Sequence, residues 1–147
     1  MPPDVPTRPQ KLSLIVYSGA FDKVHYALAM ASAAAAVNIP ATLFFTMQAI
    51  YALKKDAGVV PGWHGLPGGD GREAVLIDAE FAQAGVATFA ELLGACRDLG
   101  VTFMVCEMGL RAVGLSAADL RDDIDYVEGG LVTFYQDTRN GGSMVFI

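Results

Sequence analysis

The sequence predicts a single α/β domain built on a mainly parallel, five-stranded sheet with helices packed against it. Three observations lead there. Short runs rich in β-forming residues alternate along the chain with helical stretches, the order that strand–helix–strand units produce. The first run, Leu12–Tyr17, is a largely continuous apolar stretch, as a strand covered on both faces is. A length of 147 residues is ordinary for one domain and long enough to bury its own core.

The elements follow in order. Residues 1–10 place three prolines within the first six positions and contain no apolar run, so they are expected to form a disordered arm rather than a signal peptide. The domain occupies residues 11–147. Leu12–Tyr17 reads as the first strand. Ser18 and Gly19 turn the chain, and Asp22 is placed to cap a helix from Lys23 to Val37. The alanine stretch Ala31–Ala36 favours helix and allows close approach to a sheet. Asn38 and Pro40 end that helix. Ala41–Phe45 is the second strand, and Thr46 is expected to cap a short helix over Met47–Lys55, with Lys54 and Lys55 in its last turn.

Residues 58–71 hold six glycines and two prolines and read as a flexible loop. Ala74–Ala84 is compatible with a short helix extending that insertion. Thr88 and Glu91 have the spacing of a capping box that opens a helix to Leu99, closed by Gly100. Val101–Val105 is the third strand, with Cys106 directly after it. Glu107–Val113 is short helix ended by Gly114, and Ser116 with Asp119 caps a further turn. Ile124–Val127 is the fourth strand, Gly129 and Gly130 turn into a helix over Leu131–Arg139, and Met144–Ile147 is the fifth strand.

Bulk properties exclude several functions. The formal net charge is −6, and Lys54-Lys55 is an isolated pair, so the basic stripe that nucleic-acid binding needs is missing. The segment from Val24 to Leu53 has no Asp, Glu, Lys or Arg. Asn38 and Pro40 divide it into halves too short for the roughly 20 apolar residues of a membrane span. Two cysteines without a CxxC spacing form no disulfide framework and point to a reducing, cytoplasmic setting. Two histidines and two cysteines, widely spaced, make no zinc signature, and no metal or organic cofactor is expected. The glycine-rich loop lacks the Gly-Lys-Ser/Thr ending of a phosphate loop. Hydrophobic residues make up 53% of the chain and charged residues only 18%, a balance that fits doubly covered strands and self-association.

Ligands of open parallel sheets bind outside the carboxyl ends of the strands. That edge should present Ser18 and Gly19, Thr46, Cys106 with Glu107 and Met108, and Gly129 with Gly130. Cys106 stands out because it also begins a helix, whose unpaired N–H groups stabilise a thiolate. The Glu107 carboxylate opposes a second negative charge beside it. A free cysteine more often just packs, and that is the role expected of Cys96, which lies mid-helix near the amino end of the third strand. His64 could close over the strand ends from the loop or simply be solvated, and His25 could face the site or pack.

These residues also carry a resemblance. Leu12–Lys55, with its short strand, alanine-rich helix, apolar strand and Phe44-Phe45-Thr46 turn, resembles the opening of DsrE/DsrF-like sulfur-relay proteins. The second half is similar to the cysteine-bearing half of that family. It matches through Val105-Cys106-Glu107-Met108-Gly109-Leu110, Val113-Gly114-Leu115, Asp119-Leu120, Val127-Glu128-Gly129-Gly130, Thr133-Phe134 and Val145-Phe146-Ile147. The insertion departs from the pattern, with Trp63-His64-Gly65 and Gly68-Gly69 where relatives often carry methionines. The resemblance implies a three-layer, flavodoxin-like fold and a homo-oligomer, often a trimer or hexamer. It also implies that Cys106 carries sulfane sulfur as a persulfide between donor and acceptor proteins, while leaving the label of sulfurtransferase open. Two other functions fit the residues: a small-ligand-binding module with Cys106 as pocket wall, and a structural oligomer subunit without catalysis. The transfer chemistry requires that the sulfur be reachable from water.

Overall fold

The computed structural model describes residues 8–56 and 60–147. The disordered arm expected at the start lies largely outside the described residues. Five strands, β1 (Leu12–Val16), β2 (Ala41–Phe45), β3 (Thr102–Cys106), β4 (Tyr126–Gly129) and β5 (Ser143–Phe146), form one sheet in the order β4-β3-β2-β1-β5. Every neighbouring pair is parallel. The helices are α1 (Phe21–Ala36), α2 (Ala74–Gln83), α3 (Phe89–Asp98), α4 (Glu107–Ala112) and α5 (Leu131–Asp137).

From β1 to β4 the chain steps steadily in one direction across the sheet, and right-handed crossovers therefore put their helices on one face. The return from β4 to the far side of β1 reverses direction and sends α5 to the other face. Alternation along the strands follows this division. Leu14, Val16, Leu43, Phe45, Phe103 and Val105 join the large core beneath α1 and α3, whereas Phe44, Met104 and Cys106 meet Phe134 of α5. One five-stranded face is thus left to a helix of seven residues.

Local chemistry sets the boundaries. Asn38 takes φ +64° at the end of α1, the left-handed conformation asparagine tolerates. The Thr88–Glu91 box forms in full, with Glu91 N–H donating to Thr88 Oγ1 at 3.3 Å and Thr88 N–H to Glu91 Oε2 at 3.1 Å. Three expectations shift. Asp22 does not cap α1, whose N-cap is Ala20. Ser18 Oγ and the Pro67 carbonyl already take the N–H groups of Ala20 and Phe21, so the Asp22 carboxylate instead accepts from Gly69 N–H at 2.7 Å. Thr46 precedes a 3₁₀ turn, Met47–Leu53, without a side-chain cap bond. β4 starts two residues later than the apolar pattern suggests, because Ile124 is spent as a buried anchor in the preceding loop. Gly129, expected in the turn, is its last residue.

The insertion is seated rather than looped out where it is described. A 3₁₀ turn, Gly62–Gly65, drives Trp63 into the core, where it stacks between Phe21 and Phe89 at 5.5 and 4.8 Å. His64 lies edge-on to Trp63, and His25 is buried with Nε2 2.8 Å from the Ala87 carbonyl. His25 packs within the aromatic cluster against Phe21 and Phe81, and His64 rests on Trp63.

α5 is tied down at its carboxyl end by a polar clamp. Lys11, 5% exposed, pairs through Nζ with the Asp137 carboxylate and donates to the Asp137 carbonyl at 2.9 Å. Thr42 Oγ1 donates to Asp137 Oδ2 at 2.6 Å. Partial burial raises the Asp137 carboxyl pKa, but the hydrogen bonds from Lys11 and Thr42 and the charges of Lys11 and Arg139 outweigh it, leaving it below the ordinary value. A carboxyl lowered by folding contributes stability above its unfolded pKa of about 3.9 and loses it as pH falls through the folded value. Urea titrations should therefore show wild-type stability declining below about pH 4, with a shallower decline in Asp137→Asn; identical slopes would show that the clamp does not titrate.

A second packing constraint joins α4 to the β2 turn. A Cβ added at Gly109 would stand 2.7 Å from Met47 N and 2.9 Å from Thr46 Oγ1, inside contact distance of backbone. Gly109→Ala should cost about 1–3 kcal/mol through overpacking, despite alanine's better helix propensity. The shift of the urea midpoint measures it, and an unchanged or raised midpoint would contradict the packing.

Candidate functional site

Cys106 ends β3 and is the N-cap of α4. Its Sγ accepts the Gly109 N–H at 3.4 Å, so sulfur occupies the place that a serine or aspartate oxygen takes in an ordinary cap. A thiolate there would meet the positive end of the turn, and negative charge on Sγ would strengthen the bond to Gly109. Glu107 and Met108, the first two residues of α4, are both exposed. Across the strand pair, Cys106 is in register with Gly129.

The side chain faces α5. Cys106 is 1% exposed and shares a cluster with Phe44, Met104 and Phe134, whose ring lies 5.0 Å from that of Phe44. The expectation of an open thiol at the strand end therefore meets a closed one. Its position at the carboxyl edge is as the sequence implied, but period-two alternation turns Sγ to the face that α5 covers. Gly129 makes this cover close. A Cβ on Gly129 would stand 2.6 Å from Thr133, so only glycine lets α5 settle onto β4 there.

Of the residues expected to form the site, Glu107, Met108, Gly129 and Gly130 flank Cys106 directly, and Thr46 abuts Gly109 at the next strand end. Ser18 and Gly19 do not join them. They lie beyond β1, two strands away, and line a separate cleft of about 520 Å³ with Tyr17, Lys23, Gln48 and Phe146. Sequence reasoning missed Gly109 as the donor to sulfur and Phe134 as its lid. The first was legible in the spacing Cys106–Gly109, which is that of an N-cap and its third helical residue; the second has no local signal.

Cys96 has a different environment. Its Sγ donates to the Leu28 carbonyl at 3.3 Å within the core under α1, and burial pushes the thiol up to about 12. It stays protonated and packs. The two sulfurs belong to clusters on opposite faces of the sheet, which rules out a bond between them in the folded chain. Among the described residues no three His, Cys, Asp or Glu side chains gather into a metal-holding group, and no helix is long and apolar enough to cross a membrane.

Comparisons with known proteins agree with this architecture. Uncharacterized protein YrkE of Bacillus subtilis is 27% identical, covering 94% of this chain and 97% of that protein. The sulfur carrier protein DsrE2 of Allochromatium vinosum is 25% identical, covering 86% of this chain and 91% of that one. Two solved structures share the fold. The protein of unknown function MTH1491 from Methanobacterium thermoautotrophicum has a TM-score of 0.60 at 14% identity, over 93% of this chain and 98% of that one. The ychN protein of E. coli has a TM-score of 0.54 at 19% identity, over 93% and 97%. The model of the DsrE/DsrF-like family matches residues 10–143, and with nearly the whole described domain inside that match, the chain belongs to the DsrE/DsrF-like family.

Proposed function

We propose that the chain is a sulfur-relay protein in which Cys106 carries sulfane sulfur as a persulfide and passes it to a thiol on a partner protein. The observation that carries this reading is the cap itself: in a chain of this family, the one cysteine at the carboxyl edge of the sheet holds its sulfur on the Gly109 N–H at the mouth of a helix. The likeness to a protein named as a sulfur carrier supports it.

The exchange follows thiol–disulfide chemistry and needs no metal or organic cofactor. Once the sulfur, 1% exposed in the closed structure, is uncovered, the Cys106 thiolate attacks the outer sulfur of a donor persulfide, R–S–SH. A bond forms between Sγ and that outer sulfur, the inner S–S bond breaks, and R–S⁻ leaves with the electron pair and is protonated by solvent. In the second step an acceptor thiolate attacks the outer sulfur now on Cys106. The Cys106 sulfur departs as a thiolate, stabilised again by the Gly109 N–H and by the free amides that open α4. No net oxidation occurs in either step.

Partners would be the donor and acceptor proteins. Association of the chain with copies of itself is supported by the apolar surface around α5, where Val132 is 72% and Phe146 67% exposed. A second reading, a small-ligand module, is favoured by the separate cleft at Ser18 and Gly19.

Incubation with glutathione persulfide followed by peptide mass spectrometry tests the relay. The peptide bearing Cys106 should gain the mass of one sulfur atom in wild type and in Cys96→Ser, and none in Cys106→Ser. An adduct that persists in Cys106→Ser, or that sits on Cys96, overturns the assignment. Ligand binding unaltered by Cys106→Ser, with no adduct in wild type, would favour the module instead.

A further inference from the structure

The walls around Cys106 differ in how firmly they are held. β2 and β3 are interior strands, paired on both sides. α5 is a seven-residue helix without a side-chain N-cap, far below the length at which a helix is stable alone. It hangs between two glycine pairs, Gly129-Gly130 at one end and Gly141-Gly142 at the other, and Gly141 takes φ +76°. Three contacts seat it: Phe134 over the sulfur cluster, Thr133 on Gly129, and the Asp137 clamp to Lys11 and Thr42. Its outer side gives it no cover, since Leu131, Val132 and Tyr135 are exposed.

We infer that α5 is a gate over Cys106, with Phe134 as its plug, the flanking glycines as its hinges and the Asp137–Lys11–Thr42 clamp as its latch. The inference rests on the relay only for its purpose, giving sulfur access to an otherwise sealed thiol; the opening itself is a property of the helix. Local opening of a weakly held element exposes what lies beneath without unfolding the remainder. Loss of a charge-assisted hydrogen bond at the latch raises the open population and hence the rate at which a reagent in solution reaches the sulfur.

Cys96, buried on the opposite face beneath α1, serves as an internal reporter of global unfolding. Native protein is treated with iodoacetamide and each cysteine followed by peptide mass spectrometry. Wild-type Cys106 should react more slowly than in the urea-unfolded chain but faster than Cys96. Asp137→Asn should accelerate Cys106 by about tenfold, the size expected for one such bond, while Cys96, reached only through global unfolding, remains the slower of the two. Thr42→Val, which alters the sheet side of the latch, should accelerate it by a smaller factor. The gate is overturned if both cysteines react at one common rate in wild type or in the latch variants, or if the variants leave Cys106 unaffected. Iodoacetamide transfers no sulfur, so these outcomes are separable from those of the persulfide test: a chain that gates the reagent yet never accepts sulfur loses the relay and keeps the gate.

Discussion

Chain direction across the sheet is the constraint on which the remaining features depend. Because β1 to β4 advance one way, their right-handed crossovers stack α1 and α3 on one face and build the large aromatic and aliphatic core there. The final crossover alone serves the opposite face. Its helix must cover the middle of that face, over Phe44, Met104 and Cys106, and it does so with one buried ring, Phe134. The edges of the face stay open, which leaves Tyr17 and Phe146 touching each other at 5.3 Å on the surface.

This geometry places opposing demands on Cys106. Phe44, Met104 and Phe134 enclose its sulfur in hydrocarbon. The Gly109 N–H gives the same sulfur a polar contact on the α4 side. A sealed thiol is also shielded from the solution oxidants that would carry an exposed thiolate beyond the sulfenic stage. A sulfur carrier of this design would gain protection when closed and reactivity when open, with the balance set by how tightly one short helix is held rather than by the cysteine's own surroundings.

Much of this was legible in the sequence. All five strands and the parallel order follow from apolar runs alternating with helical stretches, and the Thr88–Glu91 box appears as its spacing requires. The position of Cys106 between strand and helix was equally plain. Facing was not. Whether Sγ points to α5 or to α1 depends on the register of β3 within the sheet, and a one-residue shift reverses it. The clamp was invisible for another reason: Lys11 and Asp137 lie 126 positions apart and meet only because β5 returns beside β1. β4 was misplaced because its residues are half-exposed on an edge strand, so Ile124 offered a stronger apolar signal than Val127 or Gly129.

The apolar surplus of the composition is divided between the interior and the surface. On the α1 side the aromatic core of Phe21, Trp63, Phe89, Phe45 and Phe103 is internal, while Tyr26 and Leu76 stand singly at the surface. On the α5 side the surplus is external: Tyr17, Val127, Val132, Tyr135, Met144 and Phe146 stand at the surface around a thin cover. Scattered exposed apolar residues need no explanation, but a group gathered on the sheet face above the only edge cysteine does. If a partner binds there, the area it buries lies against the gate itself. Contacts to Leu131, Val132 and Tyr135 would then bias α5 toward whichever position the partner prefers, because a ligand shifts an equilibrium only by binding one state better than the other. Docking and exposure of the sulfur would thus be coupled through the same seven residues.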